Sequence, residues 1–442
     1  MRTLIHSAAY WNGAGGEVVE RGYAVLSGGR IEAIAPGDAP EQAGPFDDTV
    51  DGRNRLLLPG FINAHGHAAM SLLRGFADDM PLETWLRERI WPAEDRLTPA
   101  DVRIGTELAM LEMIETGTTT FTDMYFHTDQ TAEAALSAGM RAVLGRGIVS
   151  VSGRFERMLA DSEALIRTYH NAGGGLVRMT LAPHALYTCP PAYIRKILPA
   201  AERTGVPLQI HIAETAAEAA DAMREYGMTP VAALAQSGLF HHPVTAAHCV
   251  HATDADIATM AAYGVRIAHN PGSNLKLGSG VAPLQKFLAA GIAVGLGTDS
   301  AASNNKLDLY EEMRLAALLH KGVDRNACAV GARAALSLAA AGGADALFLP
   351  GDLGRLSPGA PADLQLLDIS GPRYAPRHNL LAHAVYSSCG ADVTDVFVAG
   401  KALYRRREFL TIDRERTLFE AERIGVRLRR ADGANGIREA KR

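Results

Sequence analysis

The sequence predicts an α/β fold: a (β/α)8 barrel of the TIM type with a small β-sandwich domain built from both chain ends. Three observations carry this. Eight short apolar runs alternate with amphipathic or Ala-rich segments through the middle of the chain, the order of a parallel barrel. Six of those eight runs end in His or Asp, and barrel strands converge on an active site at their C-terminal ends. An alternating apolar and polar texture opens the chain and returns near its other end.

Residues 1–57 and 352–411 are assigned to the small β domain. In the first part, Tyr23 to Ala35 reads as two strands around the Gly28-Gly29 turn of a hairpin. In the second, Ala362 to Asp368 and Val393 to Tyr404 repeat the pattern. The barrel is assigned to residues 58–351. Its runs are Leu56 to Ala64, Thr118 to Met124, Ala142 to Ile148, Val177 to Ala182, Leu208 to Ile212, Val244 to Ala247, Val265 to Ala268 and Ala293 to Gly297. Helices are expected between them, for example over Pro99 to Glu115 and Thr131 to Ala138. Residues 412–442 read as a charged helix over Arg414 to Arg430 followed by a loose Gly-rich tail.

Composition excludes several classes of function. In 442 residues, 48% are hydrophobic and 21% charged, with a formal net charge of -5. This is an ordinary soluble composition with no call for nucleic acid or membrane. The Ala-rich stretch from Ala327 to Leu347 is broken by Arg333, glycines and Asp345, so it is no membrane span. The N-terminus has no signal-peptide core. Cys189, Cys249, Cys328 and Cys389 are widely spaced, read as buried thiols and suit a reducing compartment, so the cytoplasm is expected.

The chemistry lies at the strand ends. His65 and His67 are one residue apart after an apolar run; in a strand they point to the same side, either as two metal ligands or as polar residues of a turn. The fourth strand ends in His184, the fifth in His211 with Glu214 close behind, the sixth in His248, the seventh in His269 and the eighth in Asp299. Taken singly, each histidine reads first as a hydrogen-bonded structural residue, and Asp299 as a cap of the next helix. Crowded together, they need an agent to hold them, and a divalent metal is that agent. Imidazole and carboxylate suit zinc and also iron. His65, His67, His211 and Asp299 would supply three nitrogens and one oxygen. No lysine ends the fourth strand, where a carbamate bridging a second ion would form, so one metal per subunit is expected.

The motifs, taken together, are similar to those of the amidohydrolase superfamily, and most closely resemble its 5-methylthioadenosine/S-adenosylhomocysteine deaminase family. They are Pro59-Gly-Phe-Ile-Asn-Ala-His-Gly-His67, Ala68-Ala-Met-Ser-Leu-Leu-Arg-Gly75, Trp91-Pro-Ala-Glu94, Asp123-Met-Tyr-Phe126, His211-Ile-Ala-Glu214, Ala247-His-Cys-Val-His251, His269-Asn-Pro-Gly-Ser-Asn-Leu-Lys-Leu277 and Gly297-Thr-Asp-Ser-Ala-Ala-Ser-Asn-Asn305, with Ala362-Asp-Leu364 and Val398-Ala-Gly-Lys401 near the end. The H-x-E and P-C-x-x-C zinc motif of cytidine deaminases is absent. The resemblance implies hydrolytic deamination of a 5′-modified adenosine (5-methylthioadenosine, S-adenosylhomocysteine or adenosine) to the inosine product and ammonia. It matches His65, His67, His211 and Asp299 to the metal ligands and Glu214 to the proton shuttle. His248 and Asp299 match the groups that hold and activate water. Glu94 matches a ribose-binding residue, His184 a nucleoside contact, and Arg146 and Arg154 the positions facing the 5′ group, with Arg157 a rival for Arg154. A small-molecule nucleoside partner and a homo-oligomer are implied as well.

Several readings stay open on the sequence. His251 and His269 either fix the tautomer of a ligand or make plain structural bonds. Trp85 and Trp91 form either an aromatic wall or part of the core. The Arg405-Arg406-Arg407 run is read as a solvated turn after a strand. The rivals in function are a triazine hydrolase, a guanine-type or pterin deaminase on the same scaffold, and a non-catalytic scaffold protein. The last would be expected to have lost a ligand, and every position is filled.

Overall fold

The computed structural model describes residues 1–13, 15–150 and 153–439, with side chains as far as residue 430. Eight parallel strands pair in chain order: β1 (Phe61–Asn63), β2 (Thr118–Tyr125), β3 (Arg141–Ile148), β4 (Val177–Pro183), β5 (Leu208–Ile212), β6 (Val244–His248), β7 (Arg266–His269) and β8 (Val294–Leu296). The Ala64 N–H donates to the Leu296 carbonyl at 2.8 Å and the Asp299 N–H to that of His65 at 3.0 Å, drawing β8 to β1. Helices follow the strands. The first long one, Pro99–Glu115, starts at a capping box between Thr98 and Asp101, which satisfies N–H groups left over at its first turn.

The run from Leu56 to Ala64, read as one strand, is two. Arg55–Pro59 lies in the outer sheet, paired with Leu364–Asp368, and the barrel strand begins only at Phe61. The break falls at Gly60, whose N–H bonds the Asp363 carbonyl and where any Cβ would overlap Thr119. Both halves are buried, so hydropathy alone cannot locate the change of sheet.

The outer sheet has nine strands from both chain ends. Val19–Ser27 and Arg30–Pro36 form the expected hairpin around Gly28 and Gly29, both with positive φ. The sheet bends over a core of its own, in which Leu26 and Ile31 from one edge share a cluster with Leu364 and Phe397 from beyond its middle. It is tied to the barrel by Arg141, at the start of β3, whose guanidinium donates to both oxygens of buried Asp363 at 2.8 and 3.1 Å. Two terminal details differ from expectation. Arg406 and Arg407 form the exposed turn after a strand, but Arg405 still belongs to that strand and pairs with Asp48 at 2.7 Å and buried Asp395 at 3.1 Å. The terminal helix runs Arg414–Glu439, so Gly433–Gly436 lie inside it and not in a tail.

The four cysteines are all free, but only Cys189 and Cys249 are buried; Cys328 is exposed and Cys389 half-buried. Among the described residues no helix is long and apolar enough to cross a membrane.

The C-terminal helix reaches the site indirectly. Ile424 and Leu428 join one apolar cluster with Met70, Trp85 and Ile90, from the segment that follows β1. Arg427 meets buried Asp101 at 2.6 Å, and Arg416 pairs with Glu107. Leu428 is 1% exposed, so Leu428→Ala should lower unfolding free energy by about 2–5 kcal/mol, read as a shifted midpoint in urea.

Candidate active site

The C-terminal ends of the barrel strands bring together residues that are far apart in sequence. His65 and His67 follow β1, His211 lies in β5, His248 ends β6 and Asp299 follows β8. Asp299 Oδ1 lies 3.6 Å from His65 Nε2 and 3.3 Å from His67 Nε2, and His211 Nε2 is 3.4 Å from His67 Nε2. Two triads, His65–His67–His211 and His65–His248–Asp299, each keep their ligand atoms within 4.8 Å of one another. The backbone that presents them is unusual: Ala213, His248, Cys249 and Asp299 all have φ between 49° and 72°. Non-glycine residues held in this region cluster at functional sites, where surrounding structure over-determines them.

Hydrogen bonds behind the imidazoles fix their lone pairs. The Nδ1 atoms of His67 and His211 lie 2.6 and 2.7 Å from the carbonyls of Met124 and His184, so both rings donate there and aim Nε2 inward. His65 Nε2 is buried with no hydrogen-bond partner. An orphaned lone pair is costly in a dry interior, but it is what a metal ligand presents. The cluster therefore fits a divalent metal. Burial, with neighbouring imidazoles adding to it, holds His65 and His211 well below the usual histidine range, the neutral form that ligates.

The carboxylates divide into two kinds. Burial would raise Asp299, but the surrounding His67, His65 and His248 and the Ser273 hydroxyl bring it down to about 2. Ser273 and Ser303 both donate to its Oδ2, at 2.6 and 2.8 Å. Glu214 goes the other way: burial raises it, and its Oε2 lies 4.0 Å from His248 Nε2. Burial works against charge on His248, yet Glu214 and Asp299 outweigh it and hold the ring above its ordinary value. Asn274 Oδ1 accepts from His248 Nδ1 at 2.8 Å, turning Nε2 toward Glu214.

These groups floor a cleft of about 570 Å³. Glu94 stands on its wall, where the Tyr125 hydroxyl donates to Oε1 at 2.8 Å. Burial pushes Glu94 up to about 7, against the pull of that bond. His184 lines the cleft, lowered to about 4 mainly by burial, with Nδ1 2.9 Å from Thr188 Oγ1. Arg146 and Arg154 also line it, Arg146 lying 3.6 Å from Asp161. Arg157 does not line it; its side chain is 83% exposed beside Asp161. Trp85 and Trp91 both face the cleft, and Trp85 is at the same time core, its indole N–H donating to the Ala77 carbonyl. His251 bonds the Ser279 carbonyl and His269 packs against His320, so neither orients His65, His67, His211 or Asp299 through these contacts.

Several residues that shape the site are given no role by the sequence, although Asp123 opens one of its motifs. Asp123 is fully buried, accepts the Ala68 N–H at 2.6 Å and is pushed up to about 6 by burial. Glu218 accepts the N–H groups of Ala213 and Glu214 at 3.1 and 2.8 Å, fixing the turn that carries Glu214. The signal for Glu218 was its position three residues past Thr215, a capping spacing. Ser273, Asn274 and Ser303 lie inside motifs that single out their neighbours.

A barrel with this ligand set at its strand ends defines a class. Residues 56–403 match the amidohydrolase family, and the chain belongs to it. Within that family its similarity is to the 5-methylthioadenosine/S-adenosylhomocysteine deaminases: the chain is 46% identical over 411 residues to that of Syntrophomonas wolfei subsp. wolfei, covering 93% of this chain and 95% of the relative. A crystal structure of an adenosine deaminase from Xanthomonas campestris with bound zinc superposes with a TM-score of 0.91 at 34% identity, over 97% of this chain and 98% of the other. An atrazine chlorohydrolase from Arthrobacter aurescens TC1 complexed with zinc gives 0.88 at 27% identity, over 96% of this chain and 100% of the other.

Two outcomes follow from this geometry. His65→Ala should cut bound divalent metal from about one equivalent per chain to less than about a tenth, measured by elemental analysis after dialysis. Glu94, raised from 4.5 to about 7, binds a proton in the folded state that the unfolded chain has released, so its contribution falls as pH rises from 4.5 to about 7 and then levels. Glu94→Gln should remove that fall, seen as a smaller loss of thermal stability between acid and neutral pH.

Proposed function

We propose that the protein hydrolytically deaminates 5′-modified adenosines, such as 5-methylthioadenosine and S-adenosylhomocysteine, to the inosine compound and ammonia. The observation that carries this is a single cleft with the His and Asp cluster and Glu214 at its floor and the Tyr125-bound Glu94 on its wall. One end suits attack on a ring amidine, the other a ribose diol. The name shared by the close relatives supports the same substrate class.

A divalent ion held by His65, His67, His211 and Asp299 would lower the pKa of a water to about 7. The chain's own residues move the protons. Glu214, raised by burial, takes one from the attacking water and returns it to ring N1, which makes C6 more electrophilic. Asp299 takes the second and passes it to the departing amino nitrogen. His248, held by Asn274 and carrying charge more readily than an ordinary histidine, orients the water and stabilises the oxygen as negative charge develops. Glu94 accepts the ribose hydroxyls, His184 contacts the nucleoside, and Arg146 and Arg154 face the 5′ substituent.

Zinc is the ion of this reading, supported by the zinc in the Xanthomonas and Arthrobacter structures and by a nitrogen-rich donor set. The cytoplasm is its compartment, supported by four free cysteines. A homo-oligomer is its working state, supported by Leu418 and Phe419 standing exposed on the C-terminal helix. Sedimentation at micromolar concentration tests that state.

The first test follows ultraviolet loss of the adenine chromophore with methylthioadenosine, S-adenosylhomocysteine and adenosine, beside a melamine-type triazine. Conversion of an adenosine, reduced by about 10²-fold or more in Glu214→Gln, is the expected result. Metal-loaded protein that turns over the triazine and none of the adenosines would overturn it.

A further inference from the structure

Glu312 lies outside the cleft, on the helix Leu309–Val323, and is 1% exposed. A carboxyl buried this deeply has to be matched by donors, and its donors come from the short helix Pro271–Lys276 and from the loop after Asp299. Its Oε2 accepts the Gly272 N–H at 2.8 Å, and its Oε1 accepts the side-chain amide of Asn304 at 2.7 Å. The same amide of Asn304 donates to the Thr298 carbonyl at 2.8 Å, immediately before Asp299.

Each of those two donor residues adjoins a serine that touches Asp299. Gly272 precedes Ser273 and Asn304 follows Ser303, and both hydroxyls donate to Oδ2 of Asp299. With Oδ2 taken twice, Oδ1 is left facing the Nε2 atoms of His67 and His65. Asp299 has a φ of 59°, so its own backbone preference does not hold it there. Gly272 completes the fit: a Cβ at this position would overlap Glu312 Oε1 and the Asn304 amide. The closeness of the Gly272 backbone to Glu312 therefore needs the glycine.

We infer that Glu312 is a positioning residue for Asp299, clamping the serine-bearing helix and loop so that one carboxylate oxygen is held in hydrogen bonds and the other is aimed at the His65 and His67 side chains. It touches neither substrate nor reacting atoms. The inference rests on the reading of Asp299 as metal ligand and proton carrier, and extends it to a residue on the helix behind.

The test compares the metal-loaded parent with Glu312→Gln, which keeps the shape but turns an amide toward one of the two donors. Two readouts are taken: the rate at which zinc passes to an excess of chelator, and kcat and KM for methylthioadenosine. Zinc should leave about 10-fold faster or more and kcat should fall by a similar factor, the size of effect usual for groups that orient metal ligands, with KM within about threefold because Glu312 lies outside the cleft. Combined with Ser273→Ala/Ser303→Ala, it should add little, because both lesions act on one carboxylate. If Glu312→Gln does not fold, Asn304→Ala and Gly272→Ala break the same clamp from its other sides and should speed zinc release. Folded variants whose thermal midpoint falls while zinc release and kcat stay within about twofold of the parent, or defects that multiply independently, would overturn the proposal. A parent that holds zinc but deaminates no adenosine would fail the substrate reading alone, with zinc release still deciding the role of Glu312.

Discussion

The structure turns on a crowd of imidazoles and one low-pKa carboxylate at the C-terminal ends of β1, β5, β6 and β8. In a dry interior such a set is unfavourable on its own, because inward lone pairs have lost water and gained nothing. His65 Nε2 states the problem most sharply, since it is buried and without a partner. A divalent cation resolves it, and the hydrogen bonds around the cluster can be understood as arrangements for that cation. Carbonyls of Met124 and His184 take the Nδ1 protons, so His67 and His211 present lone pairs and not N–H groups. Two serines take one oxygen of Asp299 and leave the other.

From the same constraint comes the division of labour among the acids. Asp299 sits amid imidazoles and is held low, whereas Glu214 in the same cleft is raised by burial. Two carboxyls pushed in opposite directions within one site are the usual means of running acid and base steps at one pH. His248, held above its ordinary value between them, couples the two. Glu94 is set apart on the wall of the cleft, with its own donor in Tyr125.

Much of this was legible in the sequence, and the reason is local. A barrel strand end is a short apolar run followed by a polar residue, so His65, His67, His211, His248 and Asp299 are marked by their immediate neighbours. What was not legible depends on partners distant in the chain. Glu312 is one acidic residue in an amphipathic helix until the fold brings Gly272 and Asn304 to it, 40 and 8 residues away. The break at Gly60 is hidden because the strand on either side is equally apolar; only the close approach of Thr119 marks it. Arg405 sits in a run of three arginines, which suggests a solvated turn, but alone of the three it ends a strand beside Asp48 and Asp395. Arg154 and Arg157 are three residues apart around the start of one helix, a spacing at which sequence cannot choose between them; the fold turns one to the cleft and the other to solvent.

A rigid floor and a separately supported wall are different demands, and the chain meets them with different material. The floor is built from strand ends, locked by the closure of β8 on β1 and by buried acids such as Glu218 and Glu312. The wall that carries Glu94, Trp85 and Trp91 is a long excursion after β1, made of short irregular helices that include a π-helical turn over Trp85–Ile90. Short helices of this kind have little stability of their own. Their support comes from the far end of the chain, where Ile424 and Leu428 pack into the same apolar cluster and Arg427 binds the Asp101 that caps Pro99–Glu115. On the proposed function, substrate recognition at the wall and metal chemistry at the floor rest on separate foundations. A change at the C-terminal helix should reach KM through the wall before it reaches the metal, whereas a change behind Asp299 should reach the metal and kcat first.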